Sequence, residues 1–274
     1  MMRKPFLLPR WRRAVAGSLV SLAVVGAGAL EIATAQAATT GTLTLQPRGT
    51  VGTIVTGVGQ FDVGGDTAVN IAGAKLSGGN LKVVAGPDSV RPRAVQFPSY
   101  VRSGTYPRAV LRLNPVSGYA LASGASDFEY GAVFRLDARS SGRSIDDGNN
   151  LLQRGLYSGP AQFKLQVDGG YPSCSVKGSA GRVSVSSVTK VAADRWYRAE
   201  CSRVGSRVTV SIAPYGGTGT TSSRSASGSS GTLSFQSSVP ASLGGKLTST
   251  GAVVSGATDQ FNGAVARAWV RRLN

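Results

Sequence analysis

The side chains best suited to chemistry are few, and their spacing excludes more than it permits. The 274-residue chain has no histidine. That removes the usual general base, the partner of a serine or cysteine nucleophile and the commonest transition-metal ligand. Glycoside hydrolysis needs two carboxyl groups about 5–9.5 Å apart across the scissile bond. Beyond residue 37 the glutamates are Glu129 and Glu200, in separate segments, and Asp146 and Asp147 are adjacent. An extended backbone sends adjacent side chains to opposite sides, so none of these forms a pair. Tyrosine beside an arginine that neutralises a uronate remains as an acid–base option, with Tyr130, Tyr157 or Tyr171 as the tyrosine. Asp146-Asp147-Gly148-Asn149-Asn150 gathers oxygen ligands around a glycine turn, which suits Ca²⁺ although the spacing is not that of an EF-hand. The same composition makes a plain turn without metal. No other cofactor is indicated.

Cys174 and Cys201 are the two cysteines. Their meaning depends on compartment, which the N-terminus addresses. Arg3, Lys4, Arg10, Arg12 and Arg13 form a basic start, Ala14 to Leu30 is uncharged and apolar, and Ala35-Gln36-Ala37 gives a small-x-small cleavage pattern. Residues 1–37 therefore read as a cleaved signal peptide, and the protein as secreted. An uncleaved anchor and, from Arg12-Arg13, twin-arginine export are the alternatives. No further transmembrane segment follows. In an oxidising compartment an even cysteine count points to one disulfide; two free buried thiols is the other reading. Removal of 1–37 takes five basic residues and one acid with it, leaving 25 basic and 12 acidic side chains, or +13. Such a charge attracts polyanions, among them acidic glycans of a cell wall or the environment. Basic residues are scattered rather than interleaved with aromatics, so no specific nucleic-acid motif is present.

These groups have to be positioned by strands. Glycine is abundant, at 37 residues. Short apolar-alternating runs separated by Gly, Pro, Ser and Asp predict strands at 68–73, 80–85, 93–98, 108–114, 128–137, 150–156, 162–168, 173–178, 182–187, 196–203, 206–213, 231–235 and 262–272. Residues 38–274 thus read as a single all-β domain, a sandwich or barrel, with an irregular N-terminal strand region at 38–60 and a flexible Gly/Ser/Thr loop at 216–231. In 128–137, Phe128, Tyr130, Ala132, Phe134 and Leu136 share one face. The parity of Cys174 with Val176, and of Cys201 with Tyr197 and Ala199, turns both thiols inward, as a bridge between 173–178 and 196–203 requires. Glu129, Arg135, Arg154, Lys164 and Gln166 fall opposite the apolar rows. They are the candidate ligand-binding residues, suited to a carboxylated or sulfated glycan; a solvated sheet face is the alternative. Trp269, in parity with Arg267 and Arg271, could supply an aromatic platform, whereas Trp196 belongs to the packed edge of the core.

Four segments resemble the laminin-G-like branch of the concanavalin A-like lectin/glucanase superfamily. They are Phe128-Glu129-Tyr130-Gly131-Ala132-Val133-Phe134; Asn150-Leu151-Leu152-Gln153-Arg154-Gly155 with Gln162-Phe163-Lys164-Leu165; Arg195-Trp196-Tyr197-Arg198-Ala199-Glu200-Cys201 with Val208-Thr209-Val210; and Leu243-Gly244-Gly245 with Phe261-Asn262-Gly263-Ala264-Val265. The resemblance covers about residues 90–274 and implies an exported bacterial form of this fold, an all-β two-sheet antiparallel jelly-roll sandwich with one concave sheet and a ligand face on that sheet or at the rim loops. Superfamily members include hydrolases, lyases and pure binding modules, so fold does not settle function. The paired glutamates of the hydrolases and the histidine of the lyases are missing here. The expectation is a non-catalytic binding module for carbohydrate or acidic polymer. A lyase with a Tyr/Arg site and a surface adhesion or structural protein are the alternatives.

Overall fold

The computed structural model describes residues 41–101, 104–137 and 148–273. Two antiparallel sheets stack face to face in a concanavalin A-like jelly roll. The nine-stranded sheet contains β1 (Thr42–Pro47), β2 (Phe61–Gly65), β4 (Lys82–Ala85), β5 (Arg93–Gln96), β7 (Phe128–Leu136), β12 (Trp196–Val204), β13 (Arg207–Pro214), β14 (Ser222–Ser227) and β16 (Gly263–Arg272). Its main path runs β14-β13-β12-β7-β16-β1-β2, with β5 on β16 and β4 on β5. The seven-stranded sheet contains β3 (Ala68–Leu76), β6 (Arg108–Ser117), β8 (Asn149–Arg154), β9 (Gln162–Asp168), β10 (Tyr171–Gly178), β11 (Gly181–Ser186) and β15 (Ala241–Leu243), in the order β11-β10-β9-β8-β15-β6-β3.

Local sequence explains the tight connections. Gly169 and Gly170 both take positive φ, 58° and 90°, in the two-residue turn between β9 and β10. Positive φ at both central residues, as a type I′ turn has, matches the twist of the flanking strands, and glycine adopts it without strain. The inner faces carry the expected alternation. Phe128, Tyr130, Ala132, Phe134 and Leu136 are buried in the main core with Phe163, Leu165 and Val167 of β9 and Val208, Val210 and Ile212 of β13. Tyr130 packs on Phe163 at 4.9 Å between ring centroids. Its hydroxyl lies 3.2 Å from the carbonyl oxygens of Lys164 and Ser175, so a side chain of one sheet hydrogen-bonds the backbone of the other. Cys174 of β10 and Cys201 of β12 form a disulfide, Cα–Cα 5.6 Å, that joins the two sheets through the core.

Several elements differ from the sequence expectation. The region expected as an irregular strand at 38–60 contains β1, a regular strand flanked by β16 and β2. The 216–231 segment contains β14, whose serines pair with β13: Thr209–Ser225 and Ser211–Ser223 hydroxyls lie 2.8 Å apart. Hydroxyl ladders leave no apolar alternation to read. The strand expected at 231–235 is reduced to one bridge, Gly124 to Leu233.

Candidate functional site

The five candidate residues do not line one groove. Glu129 and Arg135 lie on the outer face of the nine-stranded sheet, Lys164 and Gln166 on the outer face of the seven-stranded sheet, and Arg154 points inward. The last placement corrects the strand parity. A β-bulge between Asn150 and Leu152 shifts the register of β8 on β9 and brings Arg154 opposite the core residue Phe163. Arg154 is 2% exposed. Its guanidinium donates to the carbonyls of Leu121 (2.6 Å), Val239 (3.0 Å) and Gln236 (3.3 Å) and lies over the Phe235 ring. Burial pulls its pKa down to about 10. These contacts make it a structural group that ties β8 to the 236–239 segment.

On the seven-stranded sheet the strand pairing sets polar side chains in rows. Gln166, Ser173 and Ser186 are register partners across β9, β10 and β11, as are Lys164, Ser175 and Ser184 in the next row. With Tyr157, Gln162, Arg182 and Lys246 they line a cleft of about 460 Å³. Tyr157 is 74% exposed, and the Arg182 guanidinium stacks on its ring face, 3.8 Å from the centroid. Arg182 is fixed by Gln162 Oε1 and the Tyr157 carbonyl, both at 3.1 Å. Lys164 and Lys246 share one carboxylate oxygen of Asp259, at 2.9 and 3.0 Å. Burial holds the Lys164 ammonium below the ordinary lysine range, Asp259 pulls it back up, and Lys246 adds to the depression. An apolar cleft of about 200 Å³ borders Gln153 and Ser242 of β8 and β15, with Leu156, Pro160, Phe235 and Pro240 in its wall.

On the nine-stranded sheet Glu129 bonds Arg271 at 2.5 Å, and Arg135 lies over Trp196, its guanidinium 5.6 Å from the ring centroid. Trp196 therefore belongs to a small outer apolar cluster with Ala94, Val133, Ala264, Ala266 and Trp269, not to the edge of the main core. Trp269 shares its face with Arg267 and Arg271 as the parity predicts. It is no open platform, however. It is 8% exposed, covers Gly131, and has Arg198 stacked on it at 5.0 Å. Gly131 is required for that approach, because a Cβ there would lie 2.3 Å from the Trp269 ring.

The three tyrosines also separate. Tyr130 is a core residue whose burial raises its pKa. Tyr157 and Tyr171 are exposed. At Tyr157 the arginine faces the ring, not the phenolic oxygen. Asp146 and Asp147, two of the five residues of the candidate Ca²⁺ loop, lie outside the described residues. Among the described residues no group of three His, Cys, Asp or Glu side chains could hold a metal, and no helix is long and apolar enough to cross a membrane. Tyr157 as a platform, together with the Lys164–Asp259–Lys246 cluster, was not legible as a site. These groups lie on different segments, joined only by the fold.

The two-sheet arrangement is that of an antiparallel jelly-roll sandwich. Neither family models nor curated proteins give a match to the sequence. Among solved structures, the binding domain of botulinum neurotoxin DC aligns with 85% of this chain at 8% identity and a TM-score of 0.52, and this chain spans 48% of it. The LG1–3 region of the laminin α2 chain aligns over 85% of this chain and 60% of its own at 8% identity, TM-score 0.39. A protein of unknown function from Shewanella oneidensis MR-1 aligns over 85% and 86% at 9% identity, TM-score 0.48. At these identities the likeness concerns the fold.

Proposed function

We propose that residues 38–274 form a secreted, non-catalytic binding module for carbohydrate, preferring acidic polymers, released by cleavage of a signal peptide at residues 1–37. The observation that carries this reading is the cleft on the seven-stranded sheet. An exposed aromatic ring, Tyr157, stands at a floor of hydroxyl, amide and cationic groups on three paired strands. Ligand clefts combine apolar or aromatic surface with a few placed polar groups. Here three cations, Arg182, Lys164 and Lys246, outnumber the Asp168 carboxylate in the lining and the Asp259 carboxylate that bridges the two lysines, and Arg182 and Lys164 are suited to carboxylate or sulfate. A disulfide in the core fits an oxidising compartment. The neurotoxin binding domain was solved in complex with SialylT. Since this chain spans about half of that domain, the ligand is not carried across by position.

Retention on immobilised acidic and neutral glycans tests the proposal. Acidic glycans are expected to retain the protein, and Tyr157→Ala or Arg182→Ala to weaken binding about tenfold, ~1.4 kcal/mol each. Absence of binding to every glycan class would overturn it. So would the appearance of an ultraviolet-absorbing unsaturated product from a polyuronate, which belongs to the lyase alternative.

A further inference from the structure

We propose that the opposite, nine-stranded sheet carries a second and separate site, for the tetrahedral oxyanion of a sulfate or phosphate ester, held by Arg91, Arg198, Arg267 and Arg271. The strand register creates it. Arg267 of β16 and Arg198 of β12 are the register partners of Val133 of β7 from its two sides. Adjacent strands lie about 4.8 Å apart, so the two guanidiniums are presented across three strands to the same space. Arg271 lies two register positions further along β16, beyond Trp269, and Arg91 reaches in from the segment before β5. The four line one cleft of about 220 Å³ with Thr42, Thr44, Glu129, Val133 and Trp269.

The charge of this cleft is under-compensated. Glu129 takes Arg271 at 2.5 Å, and Glu200 takes Arg198 at 2.8 Å. Arg91 donates to the Tyr215 hydroxyl, which in turn bonds Asp88 at 2.6 Å. Arg267 makes no hydrogen bond or ion pair among the described residues, and its Nε is closed off from solvent. Burial, followed by repulsion from Arg91 and Arg198 and, after a small opposing pull from Tyr215, from Arg271, holds its pKa below the ordinary arginine range. Clustered and partly buried like charges are costly unless an anion offsets them. A carboxylate presents two oxygens in a plane, which one guanidinium fork satisfies. A sulfate or phosphate ester presents three oxygens in three directions, which is what guanidiniums from β12, β16 and the pre-β5 segment can meet together. Trp269 and Val133 give the cleft a dry floor on which such bonds are less screened.

The test is thermal unfolding of protein produced from the full chain, with chloride replaced by inorganic sulfate or phosphate at constant ionic strength. Wild type is expected to gain about 3–6 °C at saturating anion. Arg267→Gln is expected to lose that gain while melting no lower than wild type in chloride, because it removes an unpaired, half-buried charge repelled by its neighbours. Arg91→Gln, which lies outside the strands, serves as the second variant and also loses the gain. Arg182→Ala, which takes from the cleft on the other sheet the guanidinium it would offer to a sulfate, keeps it, so this site and the glycan cleft stand or fall separately. A larger gain with glucose 6-sulfate than with glucose 6-phosphate, or the reverse, identifies which ester the site prefers. No gain in wild type with any of these anions, or an equal gain in Arg267→Gln, overturns the proposal.

Discussion

Tyr130 shows how one side chain couples the sheets to solvent conditions. Its phenol is buried and lies within hydrogen-bond distance of two carbonyls across the core, and burial raises its pKa above the ordinary 10.0. The folded state thus keeps a proton that the unfolded chain releases near pH 10. Its contribution is fully present below that pH and is lost as pH climbs through the folded-state value. Denaturant melts are expected to show stability falling above pH 10, and Tyr130→Phe to flatten that slope while costing about 1 kcal/mol at neutral pH. Arg154 gives a second case. Truncation to Ala leaves the Leu121, Val239 and Gln236 carbonyls without their donor, at a cost of about 3 kcal/mol by chemical denaturation. Residue type and alternation made the core row of β7 legible in the sequence. Arg154 was misplaced because alternation cannot register a bulge, and one extra residue in β8 reverses every later side chain. Trp269 was placed on the right face, but its cover is invisible to parity, since Arg198 comes from another strand and Gly131 matters for the side chain it lacks. Gly131→Ala is expected to displace Trp269, shifting tryptophan fluorescence to longer wavelength and costing about 2 kcal/mol through overpacking.

Among the elements, strands with an apolar row and a turn signal at each end were readable, and those held by other means were not. β14 bonds through serine hydroxyls and packs Ala226 against the core, so its composition is that of a linker even though it forms the edge of a sheet. β1 lies between β16 and β2, an insertion that the order of segments along the chain does not disclose. The cysteines, by contrast, were legible as a pair, because the alternation of β10 and β12 turned both inward. Their bridge joins strands of different sheets across a sequence separation of 27 residues. In the chain-entropy account it stabilises by ~3.5 kcal/mol, by restricting the unfolded chain. Reduction, or the double substitution Cys174→Ala and Cys201→Ala, is expected to lower the melting temperature by roughly 10 °C while leaving the far-ultraviolet spectrum strand-like. A change of secondary structure on reduction would mean that the bridge holds the sheets in register, not merely together.

At the scale of the whole molecule, the sandwich turns two cationic clefts away from each other. The inner faces of the sheets are consumed by the core, as the Tyr130 contacts and the disulfide require. Polar side chains of β9–β11 and of β7, β12 and β16 must therefore present themselves on opposite sides. The sequence carried the charge that makes both clefts cationic, +13 over residues 38–274, but not its partition, because side is a property of pairing and not of order. This separation has a consequence for polymers. A protein with one cleft coats a polyanion, whereas a protein with two outward clefts can hold two chains, or two loops of one chain, and link them. Occupying the second site is then governed by the local concentration of polymer segments, so linkage exceeds what either affinity alone would give. Mixing the protein with a sulfated polysaccharide is expected to increase light scattering over a narrow range of molar ratios, with dispersal when either component is in excess. Raising salt from 50 to 500 mM should abolish it, since the Debye length shrinks below the reach of surface charges. Arg267→Gln and Arg182→Ala, each disabling one cleft, should both suppress scattering while retaining binding. Scattering unchanged in either variant would show that one cleft suffices and that the linkage arises from association of the protein with itself.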